Sequence, residues 1–280
     1  MSTPAAAVEL REVRGPSALG GGWRRFFDLL WLMSVTEFKR TYFGTVLGYV
    51  WSLVRPLLLF AVLLFVFTKV VRLGSEVPHY PVMLLLNIVL FTFFQEATTT
   101  AVTSVVAQEG VVRKTQFPRL VIPLAVVLTA LFNLCLNLII VFVFILASGV
   151  DPTWSWLLFP VALVSLFAFT SAVSMVLSVL YVRFRDVAII WAVIAQVLFY
   201  ASPILYPIEA VPDSYHRLLF LNPLSLIFEQ VRVWILGGAP TAAEVVTAPW
   251  LLPAVALYIG TCAFAIWLFN RDAPRIAEDL

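Results

Sequence analysis

The chain has 280 residues, of which 62% are hydrophobic and 12% charged, with a mean hydropathy of +0.99 and a net charge of +2. No water-soluble domain of this length carries so much apolar surface, so the composition excludes a soluble protein and predicts an all-α, polytopic membrane protein. The basic residues stand at the ends of apolar runs rather than in one patch, which argues against nucleic acid as a partner, and Cys135 and Cys262 lie inside apolar segments, as small hydrophobes do.

Residues 1–22, rich in Ala and Gly and without an apolar run, read as a disordered cytoplasmic tail and not as a cleaved signal peptide. The next segment, WRRFFDLLWLMSVTEFKRTYF (23–43), interleaves Phe26, Phe27, Leu30, Trp31, Met33 and Phe38 with Arg24, Arg25, Asp28, Glu37, Lys39 and Arg40. That pattern suits an amphipathic helix lying in the inner interface, and equally an ordinary helix before the first span. Gly44 and Gly48 make a flexible corner at GxxxG spacing. Runs long enough to cross about 30 Å of hydrocarbon at about 1.5 Å per helical residue predict six transmembrane helices. They fall near 51–69, 81–107, 120–147, 154–182, 187–203 and 250–269, with a short tail over 270–280. Between Arg119 and Arg183 the only charge is Asp151, in SGVDPTW, which reads as a tight hairpin between the third and fourth spans.

Lys and Arg set the orientation. With the N-terminus inside, 14 of the 18 basic residues fall on the cytoplasmic side, and only Lys69, Arg72, Arg217 and Arg232 fall outside. Both termini are therefore expected in the cytoplasm.

Two stretches do not read as spans or as plain loops. In 202–238 the sequence is broken by prolines yet too apolar for a solvated loop. Asn222 is placed as an N-cap, Pro223 as the first helical residue and Gly237–Gly238 as the stop. The resulting helix over 223–236 would be only about 21 Å long and cannot cross. Paired with a short helix over 212–221, it predicts two half-helices dipping in from outside, backbone that is tolerated only where it is buried or lines a wet cavity. Over 108–119, QEGVVRKTQFPR carries Arg113, Lys114 and Arg119 with Val111, Val112 and Phe117 between them. The residues leave two readings open, a docking surface for a soluble partner and a set of cations that anchor the topology.

Taken in order, FKRTYFGTVLGYVWSLVRPL, the cytoplasmic VVRKTQFPRLVIPL and LYVRFRDV, and the outer SPILYP with LNPLSLIFEQVR resemble the membrane subunits of bacterial type-2 ABC exporters for polysaccharides, the O-antigen, teichoic-acid and galactan permeases. The resemblance covers about residues 24–280. It implies a coupling helix made of Val112, Arg113, Lys114, Phe117, Pro118 and Arg119, seated in a cleft of a separate ATPase subunit, and a second cytoplasmic contact at Arg183, Arg185 and Asp186. Pro203, Tyr206, Pro207, Leu219, Asn222, Pro223 and Leu226 would belong to outer gate helices. It further implies a homodimer in the bacterial inner membrane, a conduit between the two copies and a polyprenyl-diphosphate-linked glycan as substrate. ATP and Mg would sit on the partner, and no cofactor or metal on this chain. In keeping with that, no glycine is followed by lysine, so the GxxxxGK[ST] phosphate loop is missing from the sequence.

Polar stripes mark the predicted interior. Thr92, Glu96, Thr99 and Thr103 recur on the second span, and Thr129, Asn133 and Asn137 on the third. Interhelical hydrogen bonding accounts for the Thr and Asn residues. Glu96 needs a partner or water inside a membrane, and a basic residue near the cytoplasmic face is expected to pair with it, with a place on the substrate path as the second reading. Phe60, Phe67, Phe199 and Tyr200, on the first and fifth spans, are candidates to line a sugar path, although a lipid-facing belt would use the same residues. A type-2 exporter of a drug or small lipid would share the coupling and gate motifs. A membrane glycosyltransferase would need acidic or histidine clusters, whereas His79 and His216 stand on separate segments and no DxD pair occurs.

Overall fold

The computed structural model describes residues 22–42, 48–72, 77–110, 118–237, 241–246 and 248–272. Among the described residues there are helices and turns and no strands. Five helical stretches among the described residues are long and apolar enough to cross a membrane, six if a bent pair is taken as one.

Helix α1 (Trp23–Tyr42) precedes α2 (Gly48–Phe65), which runs on through a π-helical turn, Val66–Val70. Helix α3 (Tyr80–Ala107) starts at a left-handed His79, with Pro81 in its first turn, where a missing N–H costs nothing. Helix α4 (Val121–Ala147) ends in a Schellman cap: Gly149 takes φ 76°, its N–H donates to Leu146 O, and Val150 N–H donates to Ile145 O. That cap makes the tight turn the sequence predicts at SGVDPTW. A 3-10 turn, Trp154–Leu158, then leads into α5 (Phe159–Arg183).

Helix α6 (Val187–Ala201) has 15 residues, about 22 Å, and stops short of the span predicted over 187–203. The reason is local. Ser202 precedes Pro203 and is extended at φ −100°, ψ 152°, as the proline ring forces on the residue before it. After a 3-10 turn, Ile208–Ala210, come α7 (Asp213–Leu219) and α8 (Pro223–Leu236), bent by 110° to each other. The short α9 (Ala242–Val245) and a 3-10 turn, Ala248–Leu251, precede α10 (Leu252–Asp272).

Helix α3 is the axis of the bundle. It packs most extensively on α4 and α5 and also touches α2, α6 and α8, while α10 lies on α5 and α1 on α4. Its rings lock the neighbours together, Phe94 stacking on Phe169 of α5 and meeting Trp191 of α6 edge-on. Arg119, Arg183, Arg185 and Arg271 all fall at one end of the bundle, called here the basic end; the turn between α4 and α5 and the start of α3 mark the other, the turn end.

The placement of α1 differs from that of a helix lying flat across the basic end. Phe26 belongs to the basic-end cluster with Val121 and Phe269, but Ser34 O accepts from Thr129 Oγ1 at 3.2 Å, and Phe132 lies between Trp31 and Phe38. Thr129 and Phe132 are about 12 and 16 Å along α4, so α1 climbs beside it. Trp23, Phe27 and Trp31 face outward.

Candidate functional site

The segment after α6 is held to the bundle by side chains from α3. Tyr80 OH donates to Leu205 O at 2.7 Å and Asn87 Nδ2 to Pro203 O at 3.1 Å. Seven residues separate these donors on α3, about 10 Å along the axis, so the chain climbs toward the turn end from Pro203 to Leu205. The buried Ser202 accepts from Asn222 Nδ2 at 2.9 Å. The bend between α7 and α8 therefore sits beside Ser202, at the depth of Asn87, about 10 Å inside the bundle. From there α8 returns to the turn end, where Ser155 Oγ donates to Trp234 O at 2.7 Å and Trp156 Nε1 to Ile235 O at 3.0 Å. Both arms thus leave and rejoin the same end.

Local chemistry explains the arms. Asn222 Oδ1 accepts from Leu224 N–H at 3.0 Å, Pro223 occupies the first helical position, and Gly237, at φ 65°, ends the helix. A small apolar cluster of Ile208, Phe220, Ala242 and Val246 ties the pair to α9, and Leu219 of α7 and Leu226 of α8 pack on it, half-buried. Pro203, Pro207 and Pro223 are buried; Tyr206 is half-buried, its hydroxyl donating to Tyr200 O at 3.1 Å.

Charge inside this unit is what the sequence reading passed over. Arg232 on α8 is buried, and its guanidinium donates Nη2 to Glu209 Oε1 at 2.7 Å and Nη1 to Glu209 Oε2 at 2.9 Å, a bidentate pair. Nη1 also reaches Glu229 Oε1 at 3.1 Å, and Glu229 is 1% exposed. Partial burial pushes the Glu209 carboxyl up, but the hydrogen bond and charge of Arg232 outweigh it and hold the group below the usual glutamate range. On α7 the buried His216 sets Nε2 2.8 Å from Val211 O and 3.1 Å from Ile208 O. Both are acceptors, so Nε2 carries the proton. Glu229 and Arg232 could have been found as an acid–base pair at i, i+3 in an apolar helix; Glu209, 23 residues from Arg232 and on the far side of a bend, gives no such signal.

The other expected sites fare differently. Val112, Arg113, Lys114 and Phe117 lie outside the described residues. Pro118 and Arg119 correct the picture of an exposed docking loop, since both are buried, and their carbonyls accept from Val121 and Ile122 N–H as α4 starts. They anchor the connection in the bundle. Arg183, Arg185 and Asp186 are exposed together with Phe184, and Arg185 lies over the Tyr181 ring at 5.0 Å. On Glu96, Oε2 accepts from Asn133 Nδ2 at 3.1 Å. Thr92, Glu96, Asn133, Asn137 and Pro56 surround a gap of about 10 Å³ between α2, α3 and α4, whereas Thr99 and Thr103 face outward. Of the conduit candidates, Phe60 and Phe199 are buried within the chain, against Phe144 and Phe91; Phe67 is half-buried and Tyr200 is 58% exposed.

Comparison with known proteins adds to this geometry. The profile of a family described as "ABC-2 type transporter" matches residues 28–236. The chain is 30% identical over 256 residues to the "O-antigen export system permease protein RfbA" of Klebsiella pneumoniae, covering 91% of this chain and 95% of that one. It is 32% identical over 239 residues to the protein of the same name from Myxococcus xanthus, covering 84% and 90%. A weaker likeness, 21% over 227 residues, covers 80% of this chain and 88% of the "Polysialic acid transport protein KpsM" of Escherichia coli.

Proposed function

Because the chain belongs to the ABC-2 type transporter family, we propose that it is the membrane subunit of an ATP-driven exporter of a cell-envelope polysaccharide. The relatives named for O-antigen export and polysialic acid transport favour a glycan over a drug or small lipid. The observation that carries the transport reading is the re-entrant pair α7–α8. Its bend sits about 10 Å inside the bundle, tied to Ser202, while both its ends return to one rim, as a gate over a conduit requires. That rim is the outer one by the distribution of Lys and Arg, which puts both termini and the basic end in the cytoplasm of a bacterial inner membrane.

Hydrolysis belongs to a separate ABC ATPase subunit that holds ATP and Mg, since the sequence has no phosphate loop. The exposed Arg183–Asp186 corner and residues 111–117 form the contact through which that energy enters. The assembly is a homodimer with the conduit between copies, and the cargo is a polyprenyl-diphosphate-linked glycan, slid along aromatic faces such as Tyr200. The test is ATPase activity of the reconstituted complex. Stimulation by polyprenyl-linked glycan but not by hydrophobic drugs is the expected result; stimulation by drugs alone would assign the chain to the other class, and hydrolysis by this chain without its partner would sink the division of labour.

A further inference from the structure

The α7–α8 pair is a V bent by 110°; backbone hydrogen bonds from Leu221 and Asn222 N–H to Leu218 and Leu219 O carry the chain around its apex but do not join the two arms. The 3-10 turn Ile208–Ala210 spans its open side. To α7 the turn is tied by His216 Nε2, which reaches Ile208 O and Val211 O; to α8 it is tied by Glu209, whose two carboxylate oxygens take both terminal nitrogens of Arg232. Ile208 itself is buried in one cluster with Phe220, Ala242 and Val246, and Leu219 of α7 and Leu226 of α8 both pack on that cluster. The three pieces therefore form a braced triangle. One corner of the brace is strong and the other adjustable: the arginine end is a bidentate charged contact, yet Glu209 keeps 45% of its side chain open to solvent, so this corner can release without exposing a new charge. Glu229, enclosed beside Arg232, keeps the guanidinium in place when Glu209 lets go.

From this geometry we infer that Arg232 is a positioning residue for transport: through Glu209 it braces the V in its closed shape, and parting of the Glu209–Arg232 contact is the step that lets the arms spread. The inference rests on the gate reading above and adds to it the residue pair that holds the gate shut. Spreading the arms parts Leu219 and Leu226 from the cluster they share, so both become more accessible when the brace opens.

The test uses the chain in complex with its ATPase subunit, in membranes, with Cys135 and Cys262 replaced by Ala and one new cysteine, Leu226→Cys. A membrane-impermeant maleimide added from outside should label that cysteine slowly at rest and faster during ATP turnover. In the Glu209→Ala background labelling at rest should rise about tenfold, to the turnover rate, equivalent to about 1.4 kcal/mol of lost closure. Glu209→Gln, which keeps one acceptor and loses the charge, should fall between. The exchanged pair Glu209→Arg with Arg232→Glu, made together with Glu229→Gln so that no two buried carboxylates meet, should restore slow labelling. Glu209→Ala labelling at rest as slowly as the parent overturns the brace, and so does an exchanged pair as open as Glu209→Ala; if Glu209→Ala cannot be recovered from membranes, Glu209→Gln decides in the same way. State-independent labelling in the parent overturns the gate and the brace together, which separates that failure from failure of the brace alone. A purely structural role for Arg232 would lower the amount of inserted protein and leave the dependence on ATP untouched.

Discussion

Helices α2 and α3 differ in the opposite sense to the one hydropathy would suggest. Helix α3 is the least apolar of the five candidate spans and the most enclosed, with 19 of its 28 residues buried; α2 is more apolar, yet among its described side chains only Pro56 and Phe60 are buried. In a membrane this inversion has a physical cause. Lipid is as good a solvent for Leu as a protein interior, so no hydrophobic force sorts apolar side chains inward, whereas Asn87, Glu96 and Thr98 must find partners and turn toward other helices. Asn87, Glu96 and Thr98, not the apolar residues around them, report where the inside is, while the hydroxyls of Thr99 and Thr103 face outward.

The largest effect that could break this comparison is a packing deletion. Phe94→Ala in α3 removes a fully buried ring from between Phe169 and Trp191 and should destabilise the protein by about 3 kcal/mol, at the low end for such truncations because the lost side chain is not returned to water. Leu58→Ala in α2, 55% exposed, should stay within about 0.5 kcal/mol. Thermal unfolding in detergent compares the two directly, and equal losses would mean that α2 is covered by a partner as fully as α3 is by this chain.

An exposed position that proves costly must act through such a partner, and the basic end offers one. Phe184 and Arg185 are exposed at the corner between α5 and α6, so Phe184→Ala with Arg185→Glu should leave insertion and thermal stability unchanged. Co-purification of the ATPase subunit should weaken by about 30-fold, the equivalent of about 2 kcal/mol at a docking anchor. Retention of the subunit at parental strength would move the docking contact to 111–117. Arg119 is a poor site for this test, because it is buried and Arg119→Glu would damage the bundle itself.

A smaller effect sharpens the same comparison from the polar side. Asn87→Leu makes α3 more apolar, yet it removes the donor to Pro203 O and should cost about 1 kcal/mol. The cost stays small because Asn87 Oδ1 has no hydrogen-bond partner among the described residues, so its loss recovers part of the donor's contribution. A stabilised Asn87→Leu variant would show that Pro203 is not held from α3.

These helices also show what could be read beforehand. Element type and position were legible wherever signals are local, as in the hairpin at SGVDPTW and the start of α8 from Asn222 and Pro223, whereas the stop of α6 before Pro203 is placed two residues too late by the sequence. Enclosure was not, because a run of Leu and Val reads alike whether it meets lipid or protein, and so Phe60 and Phe199 could not be told from lipid-facing rings. Long-range polar contacts were illegible for the same reason that they matter. Glu209 and Arg232 meet only because a bend between them folds the chain back, and Glu96 meets Asn133 across two helices 37 residues apart in sequence.

The smallest predicted effect tests the bend itself, where a local signal and a tertiary contact fall on one residue. Asn222 caps α8 through Oδ1, which accepts from Leu224 N–H, and holds the bend to α6 through Nδ2, which donates to Ser202 Oγ. Replacing it separates these roles. Asn222→Asp keeps the cap acceptor, and its charge favours a helix N-terminus, but it loses the donor to Ser202; Asn222→Ala loses both. The alanine variant should therefore cost about 1 kcal/mol and the aspartate variant less, while both should loosen the bend and raise resting maleimide labelling of Leu226→Cys by a few-fold, below the effect of Glu209→Ala. If Asn222→Asp labels as slowly as the parent, the cap alone holds α8 and the tie to Ser202 is incidental. If both variants label like the parent, the bend is fixed by the packing of Phe220 and Phe228, fully buried on either side of it, and the depth of the re-entrant pair is set by apolar contacts that no hydrogen bond supervises.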